Sequence, residues 1–493
     1  MSTLALACAL YSTKYTTEIE PRRLESGNKT RFHTHTSSHA ERLHHISEAI
    51  LLPARWNAQL LGHIIEPLPG ANKKHRLKGV IVRIMSLALW ILTVPFAAVS
   101  AAVAFPLRYI DHHYRPAISF INNSPAHGAK IKTKEAFLLT KDNPLHIRTH
   151  NLGFVTSSMS IAGDLRPPIQ RAKELVKHIN EDPHKPDIIF FQETFHEDAT
   201  KVLCEGIKQE YPYIIHSVAP QISGFSSGSA VASKFPIENV KFQRLGNMLG
   251  PESMSPRGVI RVRLESSKGP VMLYGVHTQA LIGEARAKTR SEQLAEIKHL
   301  MEEDVKQEPN ILQILLGDFN TSRVTIWGED NLDPKGQSEE QVLERFDKYF
   351  DDPYLKDHDP ITGHRTMGNP FYLQIDNHRL KENLEEPSGS WYHGPFADPG
   401  VILSKKLYND RKKHKRPFPK KIHQISIQKN VWGTPEWRTH QTANTARFDY
   451  ILFPKGQVQL EGRVEIRRVI VPSGAESASS DHLPVDGRIW MAT

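Results

Sequence analysis

The chain has 493 residues, of which 63 are Lys or Arg and 54 are Asp or Glu, for a net charge of +9, with 39% apolar and 24% charged residues. These are globular proportions at a length that suits two or three domains of roughly 100 to 200 residues, which excludes a mini-protein and a wholly disordered chain. Cys8 and Cys204 are the only cysteines, which excludes a disulfide framework and leaves stability to the core. A mean hydropathy of −0.44 excludes a polytopic membrane protein, although such an average conceals single segments.

Residues 1–78 read as an N-terminal polar region without a clear element. Met1 to Tyr11 is apolar, but it is short and lacks a positive n-region, unlike a cleaved secretory signal. His33, His35, His39, His44 and His45 offer nitrogen ligands without the framework of a structural metal site. Residues 79–121 are expected to associate with a membrane. From Ile84 to Leu107 there are 24 consecutive residues without a charge, where a bilayer core needs about 20. Lys73, Lys74, Arg76, Lys78 and Arg83 precede the stretch and Arg108 and Arg115 follow it, so basic flanks on both sides leave orientation and compartment open. Pro95 and Pro106 interrupt a straight helix, and a re-entrant or interfacial hairpin stands beside a span. The soluble alternative, a buried core helix, finds nothing nearby in sequence to enclose it.

A polar linker over 122–143, opening Asn122-Asn123-Ser124-Pro125, leads into 144–493, where short apolar runs alternate with amphipathic stretches. Strands are expected at Leu145 to Asn151, Asp187 to Phe191, Ser229 to Ser233, Val259 to Leu264, Val271 to Val276, Ile311 to Leu316, Phe448 to Phe453 and Val464 to Val471. Helices are expected at Ile169 to Ile179 and Glu284 to Leu300. Mixed strands and helices over this length imply one large α/β sandwich. An insertion over about 322–446 contains Trp391 and Tyr392. It also carries a block from Lys405 to Lys421 with nine basic residues against the single acid Asp410, nearly the whole net charge. Such a block favours polyanions, whether an anionic membrane or nucleic acid, or it is a solvated loop. Aromatics beside lysines suit a lipid interface or stacked bases of a single strand.

Polar residues recur where apolar strands end: Asn151, Gln192-Glu193, His277, Asp318 and Asn320, and finally Ser480-Asp481-His482. Converging strand ends are where α/β folds build sites, because a sheet aims side chains more firmly than a loop. Asn, Glu, Asp and His without clustered Cys suit a hard cation such as Mg²⁺, with Mn²⁺ the alternative, better than zinc. They also suit phosphodiester hydrolysis, which needs charge neutralisation, a base for water and help for the leaving oxygen.

The segments Thr149-His150-Asn151-Leu152-Gly153, Phe191-Gln192-Glu193-Thr194, Gly228 to Ile237, Gly317-Asp318-Phe319-Asn320-Thr321, Arg447-Phe448-Asp449-Tyr450-Ile451 and Ser480-Asp481-His482 resemble, in order, the signature of the endonuclease/exonuclease/phosphatase superfamily. The resemblance implies a four-layer α/β sandwich, two packed mixed β-sheets flanked by helices. Val276-His277-Thr278-Gln279-Ala280 is similar to the histidine-any-glutamine-alanine motif of neutral sphingomyelinases, and Arg290-Ser291-Glu292-Gln293-Leu294 fits them as well. The uncharged segment is similar to the N-terminal hydrophobic segments of mammalian members. Inositol-polyphosphate 5-phosphatases differ around the histidine and the Asp-x-Asn motif.

Carried over, the resemblance implies that Glu193 is the main metal ligand, assisted by Asn151. Asp318 and Asn320 hold water and phosphoryl oxygens, and His277 stabilises developing charge or serves the leaving oxygen. His482 is the general base. Asp449 is its orienting acid rather than the adjacent Asp481, since neighbours on an extended chain point to opposite faces, and Asp481 is left to face the metal. Gln279, Trp391 and Tyr392 are expected to meet substrate. The implied enzyme is a Mg²⁺-dependent phosphodiesterase on an anionic phospholipid membrane, cutting sphingomyelin to ceramide and phosphocholine. A nuclease or phosphoinositide phosphatase with the same site is the alternative. A catalytically inactive, membrane-anchored interaction module is another, disfavoured because every expected polar position is filled. No protein partner is implied.

Overall fold

The computed structural model describes residues 16–19, 38–65, 73–114, 118–123, 137–155, 167–221, 225–280, 284–321, 337–357, 391–392, 403–404, 448–456, 460–466, 480, 482 and 484–492. Strand β1 (Thr16–Ile19) precedes helices α1 (Ser38–Ile65) and α2 (Lys73–Tyr114) and strand β2 (Ser119–Asn122). Then come β3 (Leu145–Asn151), α3 (Pro168–Glu181), β4 (Ile188–Gln192), α4 (Glu197–Ile207), β5 (Tyr213–His216), β6 (Ala230–Ser233) and β7 (Asn239–Arg244). They are followed by β8 (Gly258–Ser266), β9 (Gly269–His277), α5 (Glu284–Gln307), β10 (Leu312–Asp318), α6 (Gln337–Tyr349), β11 (Phe350–Asp351) and α7 (Tyr354–Asp357). Last are β12 (Trp391–Tyr392), β13 (Leu403–Ser404), β14 (Asp449–Pro454), β15 (Leu460–Ile466) and β16 (Val485–Met491).

One sheet runs β1-β7-β8-β9-β10-β14-β11 and the other β15-β16-β3-β4-β6-β5-β2. Each holds a parallel pair, β9 with β10 and β3 with β4, among antiparallel neighbours. Both faces of the central strands are covered, which is why their sequences read as continuous apolar runs. In β4, Phe190 enters the core between the sheets, while Ile189 and Phe191 turn outward to Leu175, Ile179 and Leu203 of α3 and α4. In β10, Ile314 and Leu316 point inward, and Leu315 meets Leu294, Ile297 and Phe346 of α5 and α6. This period of two gives helix, sheet, sheet, helix. Gly275 of β9 makes the inner packing fit, for a Cβ there would lie 2.2 Å from the Phe190 ring.

Seven of the eight expected strands appear within a residue or two, and the eighth, Val464 to Val471, overlaps β15 (Leu460–Ile466) at 464–466, its remainder lying outside the described residues. Strands β1, β2, β5, β7, β11, β12, β13 and β16 were not among those expected: β7 carries Lys241 and Arg244 and β16 carries Asp486 and Arg488, so no apolar run announces these two, and the other six are only two to four residues long. Phe137 and Leu139, in the stretch expected as linker, pack into the core between the sheets.

On the outer side of β3 and β16, Arg148 grips Asp486 with Nε at 2.6 Å and Nη2 at 2.8 Å and reaches Asp182 at 3.1 Å. His146 Nε2 lies 3.1 Å from the same Asp486 carboxylate. Arg148 holds Asp486 ionised well below the usual carboxylate range, against burial, which alone would raise it. Arg148→Leu should therefore destabilise the fold by about 3–5 kcal/mol, because it removes the only full cation bonded to the buried Asp486 carboxylate among the described residues, leaving His146 beside it. A urea titration showing less than about 1 kcal/mol would refute this.

Candidate active site

The two parallel pairs end at one rim of the sandwich. Asp318, last in β10, has His277 of β9 and Asp449 of β14 as its register partners, while Asn151 of β3 lies beside Gln192 of β4 in the other sheet. The sheets are tied together here by Asn151 Nδ2 donating to Asp318 Oδ2 at 2.9 Å. Glu193 and Asn320, just past β4 and β10, have φ of 57° and 47°, left-handed values that non-glycine residues adopt at a cost. Gly317 has φ of 141°, and a Cβ on it would lie 2.1 Å from the Val276 carbonyl oxygen. Only glycine lets β10 deliver Asp318 beside His277.

His482 and Asp449 form a buried pair, with Nδ1 of the imidazole 2.7 Å from Asp449 Oδ2. An ionised carboxylate only accepts, so Nδ1 carries the proton and Nε2 keeps its lone pair. That lone pair faces the site, 4.0 Å from Asp318 Oδ2. Ser480 fixes the segment: its hydroxyl donates to the Asn151 carbonyl at 2.7 Å and accepts from the His482 N–H at 3.1 Å.

Across the site, His277 Nε2 lies 3.7 Å from Glu193 Oε1 and 3.8 Å from Asp318 Oδ2. Donor atoms of Glu193, His277 and Asp318 all fall within 4.8 Å of one another, as do those of Asp318, Asp449 and His482. His277 Nε2, however, already accepts from Arg257 Nη1 at 2.8 Å. Burial, then Arg257 and His482 alongside, hold its basicity well below the ordinary histidine range. His277 is a neutral imidazole, and the positive charge on this wall belongs to Arg257. Burial, with Asp449 beside it, pushes the Asp318 carboxyl up to about 7 against the pull of His482, the Asn151 amide and the Asn320 N–H. Glu193 and Asp318 thus present the hard carboxylate oxygens that suit a divalent cation of the Mg²⁺ type. Asn151 lies among them, with its Oδ1 given to the Gly153 N–H at 3.0 Å.

Several supporting residues carried no signal in the sequence. Arg171 of α3, fully buried, donates to the carbonyls of Leu152 at 2.6 Å and Gly153 at 2.5 Å and so sets the turn after Asn151. Arg257 donates to the Thr278 carbonyl at 3.1 Å and pairs with Glu252 at 3.2 Å. Thr278 donates to the Phe319 carbonyl at 2.6 Å, and Asn320 Nδ2 to the Thr278 carbonyl at 3.3 Å. Gln279, expected at substrate, is fully buried; its amide bonds the Leu249 N–H at 2.7 Å and the Glu252 carboxylate, holding the 245–255 loop. Trp391 and Tyr392 form β12 against Leu403 and Ser404 of β13, and their side chains, with Asp481 and the 405–421 block, lie outside the described residues.

A model of the endonuclease/exonuclease/phosphatase family matches residues 149–482. The chain belongs to this family. Among its relatives are a sphingomyelinase C of Leptospira interrogans, 26% identical over 219 residues, 41% of this chain and 38% of the relative, and a phospholipase C of Staphylococcus aureus, 26% identical over 157 residues, 28% of this chain and 47% of the relative. Sphingomyelin phosphodiesterase 5 of Danio rerio is 26% identical over 192 residues, 34% of this chain and 33% of the relative. The match spans less than two thirds of each. Solved structures similar to the chain include sphingomyelinase C from Streptomyces griseocarneus, 17% identical with a TM-score of 0.42, covering 71% of this chain and 99% of that one. Beta toxin from Staphylococcus aureus with bound magnesium ions is 17% identical with a TM-score of 0.42, covering 70% and 99%.

Proposed function

We propose that the protein is a divalent-metal-dependent phosphodiesterase acting on phospholipid at a membrane surface, with sphingomyelin cut to ceramide and phosphocholine. The observation that carries the reaction type is the His482–Asp449 pair, with the His482 Nε2 4.0 Å from the Asp318 carboxylate. The lipid class is supported by the sphingomyelinases and phospholipases C among the relatives and by the His277-Thr278-Gln279-Ala280 motif.

Mg²⁺, or Mn²⁺, held by Glu193 and Asp318 would neutralise a non-bridging phosphoryl oxygen. His482 Nε2 takes a proton from water, whose oxygen attacks phosphorus as the bond to the ceramide oxygen breaks; the ceramide oxygen takes its proton from solvent, and the His482 imidazolium returns the one it holds to solvent afterwards. Asp449 stabilises the imidazolium that forms. Arg257, bonded to His277 Nε2 and the Thr278 carbonyl, and the Asn320 amide, bonded to the same carbonyl, would brace the side of the site on which the phosphoryl charge develops. Arg257→Gln should lower kcat about 100-fold, the scale of one charge-stabilising donor, with a smaller change in KM; equal kcat would remove Arg257 from this role.

Membrane contact is assigned to residues 84–107 and the basic block at 405–421. The decisive experiment presents sphingomyelin vesicles, phosphatidylcholine, phosphoinositides, DNA and RNA to the purified chain, with Mg²⁺ and with chelator. Release of phosphocholine from sphingomyelin only with metal is expected, and turnover of nucleic acid alone would overturn the reading.

A further inference from the structure

Helices α1 and α2 pack as an antiparallel hairpin with its polarity inside out. Asn57 Nδ2 of α1 donates to the Trp90 carbonyl at 3.0 Å and to Thr93 Oγ1 at 2.9 Å, and the Ser100 hydroxyl donates to the Ile50 carbonyl. Ser47, Ser86, Ala97 and Ala104 are buried, with Leu51 the one large apolar side chain buried beside them among the described residues of the two helices, while Leu92, Phe96 and Val99 are 68%, 72% and 66% exposed. Small and polar residues inside with large apolar ones outside is the arrangement of helices packed in lipid. A hairpin made for water would show the reverse.

The strands on either side of the hairpin limit how it can meet a bilayer. Strand β1, before it, pairs with β7 from Thr16↔Gln243 to Ile19↔Val240, and β2, after it, pairs with β5. Because β9 packs over β4 and β14 over β3 and β16, β1 and β2 occupy the same lateral edge of the sandwich. Both ends of the hairpin therefore sit on the catalytic domain's side of any membrane, and the number of complete crossings between them is even. Only Arg83–Ile110, within α2, is long and apolar enough to cross among the described residues. Helix α1 holds Glu48, Arg55, Asn57, Gln59 and His63, and a charge at mid-bilayer costs about 2.5–3.5 kcal/mol even on insertion scales. Two crossings are disfavoured, and one is excluded by the strands.

Resting on the membrane reading above, we infer that α1 and α2 together form a one-leaflet wedge: the hairpin enters and leaves on the catalytic domain's side, clamped at both ends by edge strands. Lys73, Lys74, Arg76 and Lys78 open α2 ahead of its apolar stretch, and cations at the end of an apolar stretch suit phosphate headgroups. The wedge so fixes the angle at which the site meets the surface.

The test uses the full chain synthesised in the presence of sealed microsomes, with a Gly/Ser-flanked site for a specific protease placed before Met1, at Gly70 between α1 and α2, or after Thr493. After flotation, protease is added outside, with and without detergent. All three sites should be cut without detergent. If the site before Met1 is cut only with detergent while the one after Thr493 is open, α2 crosses alone and the clamp is wrong. If only the Gly70 site is protected, both helices cross and the wedge is wrong. A chain that fails to float overturns the membrane reading itself, a separate failure.

Discussion

His482→Ala is expected to lower kcat by roughly 10³–10⁴-fold, the upper range for loss of a positioned general base, while leaving vesicle binding and metal affinity close to wild type. The reasoning is geometric. Nδ1 is committed to Asp449 at 2.7 Å, so the only basic atom facing Asp318 is Nε2, and no other described group there can take its place: His277 is a neutral acceptor for Arg257, and His150 is buried, its basicity lowered to about 3 chiefly by burial, with its Nε2 on the His482 carbonyl at 3.3 Å. Asp449→Asn should lose nearly as much. An amide can donate where the carboxylate only accepts, and the imidazole would then hold its proton on Nε2, facing the substrate in the wrong tautomer. Fold stability by thermal unfolding should move little in His482→Ala. A wild-type rate in either variant would remove the pair from the mechanism.

The catalytic rim was legible because its residues follow strands that are apolar on both faces. Asn151, Glu193, His277 and Asp318 each close a run such as Ile188 to Phe191 or Leu312 to Leu316, where burial on both sides leaves a polar residue only at the end. What the sequence could not show was which polar atoms satisfy one another. Arg171 and Arg257 look like surface cations in one dimension, and only the packing of α3 on β3, and of the 245–257 loop on β9, buries them against carbonyls. Gln279 reads as substrate-facing from its motif but spends its amide on Leu249 and Glu252. The partner of the uncharged segment was hidden for a similar reason: nothing in the sequence of α1 shows that Ser47 is buried or that Asn57 bonds Trp90 and Thr93 of α2.

Metal binding should depend on Glu193 and on pH together. Glu193→Gln removes the charge of the half-buried carboxylate grouped with His277 and Asp318, and Mg²⁺ affinity should fall at least about 100-fold, beyond what outer supporting residues contribute; isothermal titration showing unaltered affinity would exclude Glu193 as a ligand. The pH profile follows from Asp318. Its carboxyl is raised from 3.8 to about 7, first by burial and then by Asp449, so below about 7 an incoming cation must displace a proton, and affinity should drop by up to tenfold per pH unit before levelling off above that value. The same shift sets the stability of the metal-free protein. A folded-state pKa above the unfolded one means that the folded form holds its proton while the unfolded form has lost it, so this group's contribution declines as pH rises from about 4 through 7. Added Mg²⁺ neutralises the carboxylate and reverses that loss, so the rise in Tm on adding Mg²⁺ should be larger at pH 8 than at pH 6. An equal rise at both would show that Asp318 titrates elsewhere or does not face the metal.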